Sequence, residues 1–465
     1  MPTERIWRAA AIVVCAAVPA SFYVIGDLTD AFPGVLTIAP DPHAVDARPP
    51  AQAEEWKATE ADAPQGQVAQ SVDHVFAVDL ARRMDSHASL PVVAGHLAYS
   101  VVDAETGEVL AQRDADTARA PASTLKLLTS AAALRRLDPE STLTTRAVYA
   151  DGRITLVGGG DMTLTEAKLR ELATGAAKLA KDAGATTVTL GLDTSYLRGG
   201  ENPAWGGNGR AGGWVTPTAA LAVNEGWLDG TEYGPKSADP AGDAARLFAK
   251  LLHEQGLQVR GEPVSAQSPA GAPTVEVHSA TIADIVRHTL EISDNTTAEL
   301  LAHLVARARG EEPTPAHAAA AVEAEVRALA DQLGVPKKDL DALVLHDGSG
   351  LSVQNRVPPA LFAAVLADVA SGSTPELEQI LYDVPVAGLT GTLVDRFDAT
   401  GTRGARGLVR GKTGYLGGTA SLAGVSVLPD GRTVGFAILV HDFDGARADD
   451  ARAAVDAVAS ELVRE

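Results

Sequence analysis

The sequence almost lacks cysteine, since Cys15 is the only one among 465 residues. One cysteine cannot form an intramolecular disulfide or a cysteine-based zinc site, so the fold depends on neither. Aromatic residues are also scarce, at 4% of the chain. The 39 basic residues are outnumbered by 60 acidic ones, and the formal net charge of −21 opposes binding to phosphate backbones and anionic lipid surfaces. The composition therefore argues against nucleic acid as a partner.

Two further absences concern cofactors. The 11 histidines include no His-Glu-x-x-His sequence, the spacing that places two zinc ligands on one helix face. The glycines 158–160 are not followed by Gly-Lys-Ser/Thr, so they indicate a turn rather than a phosphate-binding loop. We expect no metal and no cofactor.

The amino-terminal residues 1–26 are typical of a targeting segment. Arg5 and Arg8 precede an apolar run over residues 9–25, which is barely long enough to span a bilayer as a helix. Two readings remain open: a signal peptide cut after Ala20, or an uncleaved anchor in the cytoplasmic membrane. Both place the remainder of the chain outside the cytoplasm.

The next segment, 27–75, is rich in proline, alanine and acidic residues and shows no helical or strand periodicity. We interpret it as a flexible tether. The remaining residues are apolar enough to bury a core, because hydrophobic residues make up 46% of the chain and charged ones 21%.

Strand-like runs lie at both ends of the folded body, with helical patterns between them. The runs cover residues 97–102, 109–112, 408–413, 421–427 and 433–440, and an alanine-rich helical pattern follows at 446–463. This arrangement predicts an α+β domain, formed by 76–143 and 275–465, whose sheet is assembled from both chain ends. Residues 144–274 differ in texture and are predicted to be an inserted accessory region.

Ser123 and Lys126 form the only Ser-x-x-Lys sequence in the chain. On a helix, residues three apart share a face. A lysine buried there loses solvation of its charge, its pKa falls, and the neutral amine can take the serine proton. A capping serine beside a surface lysine is the ordinary alternative for this short pattern.

Two more short motifs occur once each. Ser293-Asp-Asn295 follows an apolar run and offers a hydroxyl for proton transfer and an amide for holding a substrate carbonyl. Lys412-Thr413-Gly414 lies on a predicted strand, where the lysine and the hydroxyl can bind a carboxylate and the glycine permits close approach of a substrate. A helix cap and an edge-strand lysine are the ordinary alternatives.

The three motifs occur in the order that is typical of penicillin-binding proteins and class A β-lactamases. A compact β-lactamase has no room for the segment 144–274 between the first two motifs. Class A enzymes also need a Glu-x-x-Leu-Asn sequence, and the stretches beginning at Glu166 and Glu225 both lack its asparagine.

In these motifs the chain resembles the D-alanyl-D-alanine carboxypeptidases/endopeptidases of the class C low-molecular-mass penicillin-binding proteins, peptidase family S13. Matching stretches run in family order from about residue 85 to the carboxyl terminus, and they cover 121–129, 158–161, 293–295, 347–352, 385–393 and 412–414. The resemblance implies a penicillin-recognising transpeptidase (β-lactamase-like) fold, with an antiparallel sheet flanked by helices and inserted accessory domains.

The resemblance also implies a role for each motif residue. Ser123 is the acylated nucleophile and Lys126 its general base. Ser293 passes the proton to the leaving amine, and Asn295 positions the acyl chain. Lys412 and Thr413 bind the terminal carboxylate of the substrate, and the backbone N–H groups of Ser123 and Tyr415 form the oxyanion hole.

Two positions depart from the family pattern, and a third keeps two interpretations. Tyr415 follows Lys-Thr-Gly where the family usually has threonine, which removes a hydroxyl near the carboxylate and adds a ring. Met162 replaces a common proline, and we expect it to be structural. Ser349 is expected either to contact substrate or to form a turn. Three tryptophans, 205, 214 and 227, are expected to pack in the protein or to stack on sugars.

We therefore predict a D-alanyl-D-alanine carboxypeptidase that acts on peptidoglycan stem peptides and is acylated by β-lactams. The alternatives, in order, are a D,D-endopeptidase that uses the same residues, a β-lactamase, and a catalytically weak cell-wall binding module.

Overall fold

The computed structural model describes residues 69–229 and 234–464. The predicted targeting segment, 1–26, and most of the predicted tether lie outside these residues. Helix α1, Ala69–Ser86, begins within the last part of the segment that we predicted as tether. In the part of the chain that is described, no helix is both long and apolar enough to cross a membrane.

One five-stranded sheet is antiparallel throughout, in the order β10-β11-β12-β1-β2. Its strands are β1 (Leu97–Asp103), β2 (Val109–Arg113), β10 (Arg410–Leu416), β11 (Thr419–Val427) and β12 (Thr433–His441). Ser100 of β1 lies opposite Ala437 of β12, so strands from the two ends of the chain pair directly. The predicted fold class is confirmed, although β10 is displaced towards the carboxyl terminus from the predicted 408–413.

Both faces of this sheet are covered by helices, because its central strands are apolar on both sides. On β12, Phe436, Ile438 and Val440 belong to one core cluster, and Ala437 and Leu439 to the other. This alternation is the period of two that a strand imposes. The first cluster packs with α1 and α10 (Ala448–Ser460), and the second with α8 (Pro359–Ser371).

Close packing of α8 on the sheet depends on Gly435 of β12. A Cβ atom at this position would lie 2.2 Å from the backbone nitrogen of Ala367 and 2.5 Å from the carbonyl oxygen of Ala363. No side chain fits in that space, so the helix backbone lies directly against the strand.

The remaining helices lie between β2 and β10 in the sequence. They are α2 (Leu125–Arg136), α3 (Glu166–Asp182), α4 (Pro240–Glu254), α5 (Ile282–Glu291), α6 (Asn295–Ala308), α7 (Pro315–Gln332) and α9 (Glu378–Asp383). Helix α2 is buried on every side from Leu125 to Leu134, because α5, α6 and α7 pack around it.

A second sheet has its strands between the first two motifs, in the order β8-β6-β4-β3-β9. These strands are β3 (Thr142–Ala150), β4 (Arg153–Val157), β6 (Thr187–Asp193), β8 (Gln258–Ser265) and β9 (Thr274–Thr281), and a separate parallel pair joins β5 (Asp161–Leu164) to β7 (Leu221–Val223). Met162 is fully buried in the adjoining core. The domain boundaries at 144 and 274 stay a prediction.

Candidate active site

Ser123 lies in a short 3₁₀ turn, Ala122–Thr124, immediately before α2. The turn begins with Ala122 at a φ of 51°, which is unusual for a residue with a side chain, and ends with Thr124, whose hydroxyl donates to the carbonyl of Pro121 at 2.7 Å. Ser123 therefore stands at the amino-terminal end of a buried helix, where backbone N–H groups have no partner within the helix.

Lys126 is fully buried one turn into this helix region, and its Nζ faces three oxygens. It donates to Ser123 Oγ at 3.0 Å, to Asn295 Oδ1 at 2.6 Å and to the carbonyl of Ser349 at 2.7 Å. Burial lowers the pKa of Lys126 to about 8, although nearby carboxylates including Asp294 oppose the shift. An amine placed like this can take a proton from the serine hydroxyl near neutral pH.

Ser293 and Asn295 lie at the junction between α5 and α6. Ser293 has a φ of 66° and lines the cavity, while Asp294 caps α6 by accepting from the backbone N–H of Thr297. The Asn295 amide is oriented on both sides, since Oδ1 accepts from Lys126 and Nδ2 donates to the carbonyl of Trp214 at 2.8 Å. In the described part of the chain, Ser293 makes no side-chain hydrogen bond to either motif lysine.

The third motif lies on β10, the edge strand of the sheet. Gly414 permits the closest approach to the serine, because a Cβ there would lie 2.9 Å from the Pro121 carbonyl and 3.1 Å from Ser123 N. Thr413 Oγ1 donates to Thr392 Oγ1 at 2.8 Å. The strand edge is thus held directly beside the serine.

Lys412 is fully buried, and its Nζ donates to the carbonyl of Thr413 at 2.8 Å. Burial, and then the charge of Lys126, lower the pKa of Lys412 well below its ordinary value. Two ammonium groups close together repel each other. A substrate carboxylate would relieve this repulsion and favour the charged form.

Tyr415 places its ring at the mouth of the cavity, 38% exposed. The guanidinium of Arg452, on α10, lies 4.4 Å from the ring centroid, within the range of a cation–π contact. Arg452 also pairs with Asp449 at 3.0 Å. Nothing in the sequence pattern pointed to Arg452, because its position depends on how α10 packs against the sheet.

The motif residues meet in one cavity of about 380 Å³. Its lining includes Ser123, Ser293, Asn295, Thr413 and Tyr415, together with Trp214, Leu351 and Arg452. Lys126 and Lys412 lie buried behind this lining. The structure therefore brings the three motifs together, although they are far apart in the sequence.

The three tryptophans have different surroundings. Trp205 is buried, and its indole nitrogen donates to Glu299 at 3.3 Å. Trp214 is half exposed and lines the cavity. One face of Trp227 is covered by the ammonium of Lys236, 3.2 Å from the ring centroid.

A buried carboxylate that we did not single out supports the loop behind Lys126. Glu299 Oε1 accepts from the backbone N–H groups of Gly348 at 3.1 Å and Ser349 at 2.9 Å. Burial, with the charge of Asp347, raises the pKa of Glu299 to about 7. The hydroxyl of Ser349 is buried, so its carbonyl, rather than its side chain, contributes to the site. The sequence could have identified Glu299, because this residue lies one helical turn after Asn295 in an apolar helix.

Within residues 69–229 and 234–464, two groups of side chains have metal-ligand chemistry, and one of them includes Asp294 of the second motif. His96, His441 and Asp442 form one, and Glu225, His288 and Asp294 the other, with ligand atoms within 4.8 Å of one another in each. Both contain close ion-pair geometry, since His441 Nδ1 lies 2.7 Å from Asp442 and His288 Nε2 lies 2.7 Å from Glu225. Each group thus contains a close histidine–carboxylate contact.

Comparison of the sequence with known proteins identifies its family. Residues 80–237 and 228–462 match the model of the D-Ala-D-Ala carboxypeptidase 3 (S13) family. A carboxypeptidase of Mycobacterium tuberculosis is 34% identical over 396 residues, which cover 81% of this chain and 83% of the relative. Carboxypeptidase DacB of Mycolicibacterium smegmatis is 32% identical over 383 residues, with coverage of 79% and 80%.

Among solved structures, penicillin binding protein 4 of Haemophilus influenzae matches with a TM-score of 0.64 and 19% identity, covering 83% of this chain and 99% of that chain. At this identity the likeness establishes the fold, and the sequence comparisons establish the family. The resemblance inferred from the motifs is confirmed, and the chain belongs to the D-Ala-D-Ala carboxypeptidase 3 (S13) family.

Proposed function

We propose that this carboxypeptidase works through an acyl-enzyme on Ser123. The observation that carries the proposal is the 3.0 Å contact between Ser123 Oγ and the fully buried amine of Lys126. The neutral amine takes the hydroxyl proton while Oγ attacks the carbonyl carbon of the penultimate D-alanine. The backbone N–H groups of Ser123 and Tyr415 stabilise the resulting oxyanion.

The tetrahedral intermediate then collapses with cleavage of the C–N bond. Ser293 relays the proton from Lys126 to the departing D-alanine amine, and an ester to Ser123 remains. Water, deprotonated by the same lysine, attacks the ester and releases the shortened peptide. Asn295 holds the acyl chain, and Lys412 and Thr413 hold the terminal carboxylate, with Gly414 allowing the peptide to approach β10.

The substrates of this reaction are stem peptides of peptidoglycan that end in D-Ala-D-Ala. A β-lactam acylates the same serine, because its ring amide occupies the position of the scissile bond. A structure of the Haemophilus protein complexed with a β-lactam supports this assignment. We place the enzyme outside the cytoplasmic membrane, where its substrate lies, with residues 1–26 as signal peptide or membrane anchor.

Intact-protein mass spectrometry with benzylpenicillin tests the nucleophile. The full-length wild type should gain the mass of one penicilloyl group, and Ser123→Ala should gain none. Ser373→Ala, which removes an exposed serine outside the cavity lining, is the matched control and should acylate as the wild type does. An adduct on Ser123→Ala would overturn the assignment.

Release of D-alanine from diacetyl-Lys-D-Ala-D-Ala tests turnover with the same three proteins. Wild type and control should release it, and Ser123→Ala should not. Destruction of the drug without a lasting adduct would indicate a β-lactamase. Absence of both adduct and turnover would indicate a catalytically weak binding module. Cleavage of cross-linked stem peptides without release of D-alanine would indicate an endopeptidase.

A further inference from the structure

Ser293 has a backbone conformation that its side chain disfavours. Its φ of 66° lies in the left-handed region, which residues other than glycine occupy only where their surroundings hold them there. Ser293 also lines the active-site cavity, so this conformation sets the direction of its hydroxyl. The residues that follow Ser293, at the start of α6, are held by contacts from the segment between the first two motifs.

Two of these contacts hold Asn295 and Thr296. The carbonyl of Trp214 accepts from Asn295 Nδ2 at 2.8 Å. Thr296 Oγ1 accepts from the backbone N–H of Thr216 at 3.2 Å and from Lys236 Nζ at 3.4 Å. Because Thr296 and Lys236 are buried, water does not compete for these hydrogen bonds. The start of α6 is thus attached to the intervening segment at two successive residues.

A third contact reaches Asp294, the residue directly after Ser293. Asp294 Oδ1 accepts from the backbone N–H of Thr297 at 2.6 Å and from the hydroxyl of the same residue at 2.9 Å. The carboxyl group of Asp294 also forms a hydrogen bond with that of Glu225, and His288 Nε2 lies 2.7 Å from Glu225 Oε1. Asp294 is therefore held both by α6 and by Glu225.

A hydrogen bond between two carboxyl groups needs one proton. Burial, and then the charge of Asp294, raise the pKa of Glu225, while His288 opposes this shift. The ammonium of Lys236 faces the same two carboxyl groups, whose charges oppose the fall in the pKa of Lys236 that burial causes. Glu225 can therefore keep the shared proton and donate a hydrogen bond to Asp294.

The turn that carries Glu225 is itself fixed by its neighbours. Asn224, Glu225 and Gly226 all have positive φ values, of 45°, 55° and 74°. Thr216 Oγ1 donates to the carbonyl of Glu225 at 2.5 Å, and Lys236 Nζ donates to the same carbonyl at 3.3 Å. Two successive left-handed residues other than glycine persist only where the surrounding structure holds them. These bonds fix the backbone from which the Glu225 carboxyl reaches Asp294.

We propose that Glu225 is a positioning residue for Ser293. By holding Asp294, it keeps the Ser293 hydroxyl where that hydroxyl passes a proton to the leaving amine. Glu225 lies outside the lining of the active-site cavity, so it acts through Asp294 and not on the substrate. The proposal rests on the function proposed above, in which Ser293 relays the proton, and it gives the segment between the first two motifs a part in catalysis.

Two substrates with the same acyl group separate this role from a general loss of structure. One is diacetyl-Lys-D-Ala-D-Ala, whose amine must gain a proton to leave. The other is the matching D-thiolactate ester, in which sulfur replaces the amide nitrogen and leaves as a thiolate without a proton. Both give the same acyl-enzyme, and kcat/KM reports its formation. Ser293→Ala should lower kcat/KM for the peptide by about a hundredfold or more, and that for the thioester far less.

Glu225→Ala should repeat this pattern more weakly. We expect kcat/KM to fall about tenfold or more for the peptide and to change by less than about threefold for the thioester. Glu225→Gln keeps an N–H donor for Asp294 and an oxygen towards His288, so it should retain most of the activity on the peptide. Turnover of the thioester shows that each variant is folded.

Glu276→Ala is the matched control. It removes an exposed carboxylate of the same segment that lies 3.5 Å from a histidine, His278, outside the lining of the active-site cavity. Both substrates should be turned over by this variant as by the wild type.

The other outcomes would contradict the proposal. Equal losses on both substrates in Glu225→Ala would show a structural role and overturn it, as would wild-type rates on both. Equal activity of Glu225→Gln and Glu225→Ala on the peptide would also overturn it, because the hydrogen bond to Asp294 would then have no effect. Equal losses on both substrates in Ser293→Ala would remove Ser293 as the proton relay, and the positioning role with it. No turnover of either substrate by the wild type would overturn the proposed function itself.

Discussion

Lys126 is an amine enclosed by protein, and its surroundings determine when it can accept a proton. Its three oxygen neighbours and nearby carboxylates favour the ammonium form, whereas burial favours the neutral form and has the larger effect. The balance gives a pKa of about 8, below the ordinary value for lysine. The reactivity of Ser123 should follow this titration.

The rate of acylation by benzylpenicillin should therefore rise with pH and level off above about pH 8, since only the neutral amine can take the serine proton. Below that value the rate should fall by up to about tenfold for each pH unit. Benzylpenicillin has no group that titrates between pH 6 and 9, so the profile belongs to the protein. A rate that is flat or falls over this range would exclude Lys126 as the general base.

Tyr415 stands where the family usually has threonine. The backbone N–H on β10 is the same for both residues, so only the side chain differs. Tyr415→Thr should restore a hydroxyl beside the carboxylate site and release Arg452 from its contact with the ring. We expect kcat/KM for diacetyl-Lys-D-Ala-D-Ala to rise by a few-fold, through KM, since one hydrogen bond to a charged group contributes about 1.5–3 kcal/mol before solvent exposure weakens it.

Tyr415→Phe is the matched control, because it keeps the ring and the contact with Arg452. Its kinetics should match the wild type. Lower kcat/KM in Tyr415→Thr would mean that the ring itself contributes to substrate binding.

At the scale of secondary structure, the sequence pattern located most elements, and their ends were less well defined. The predicted strand 408–413 began with the apolar pair Leu408 and Val409. In the structure Leu408 is exposed in the turn before β10, and the strand continues to Leu416 because β11 pairs with it along its whole length. Pairing with a neighbouring strand, which a local pattern does not contain, set this boundary.

The contact between α8 and β12 provides a stability prediction. Gly435→Ala places a methyl group 2.2 Å from the backbone nitrogen of Ala367, and a helix backbone cannot turn aside as a side chain can. We expect a loss of about 1–3 kcal/mol or more in the free energy of unfolding, measured with urea. Gly404→Ala has open space around its new methyl group and should change stability by less than about 0.5 kcal/mol. Equal stability of the two variants would contradict the packing described.

At the scale of the whole molecule, the three short motifs predicted which residues meet, and the order of the sheet explains how they meet. Residues that act on the site from other elements escaped prediction. Glu299 supports the Ser349 loop from inside α6, and Arg452 reaches Tyr415 from α10. Neither belongs to a local motif, and each contact exists only because helices pack in a particular way on the sheet.

The pairing of β1 with β12 has a consequence for the order of events during synthesis. The ribosome makes Ser123 and Lys126 early, but Gly414, Tyr415 and the strands that hold them emerge near the end. Contacts between distant parts of a chain form slowly, because a long loop must close first. The nascent protein thus carries Ser123 and Lys126 for most of translation without the strand edge that completes the cavity, and the cavity is complete only when the last strands have joined the first.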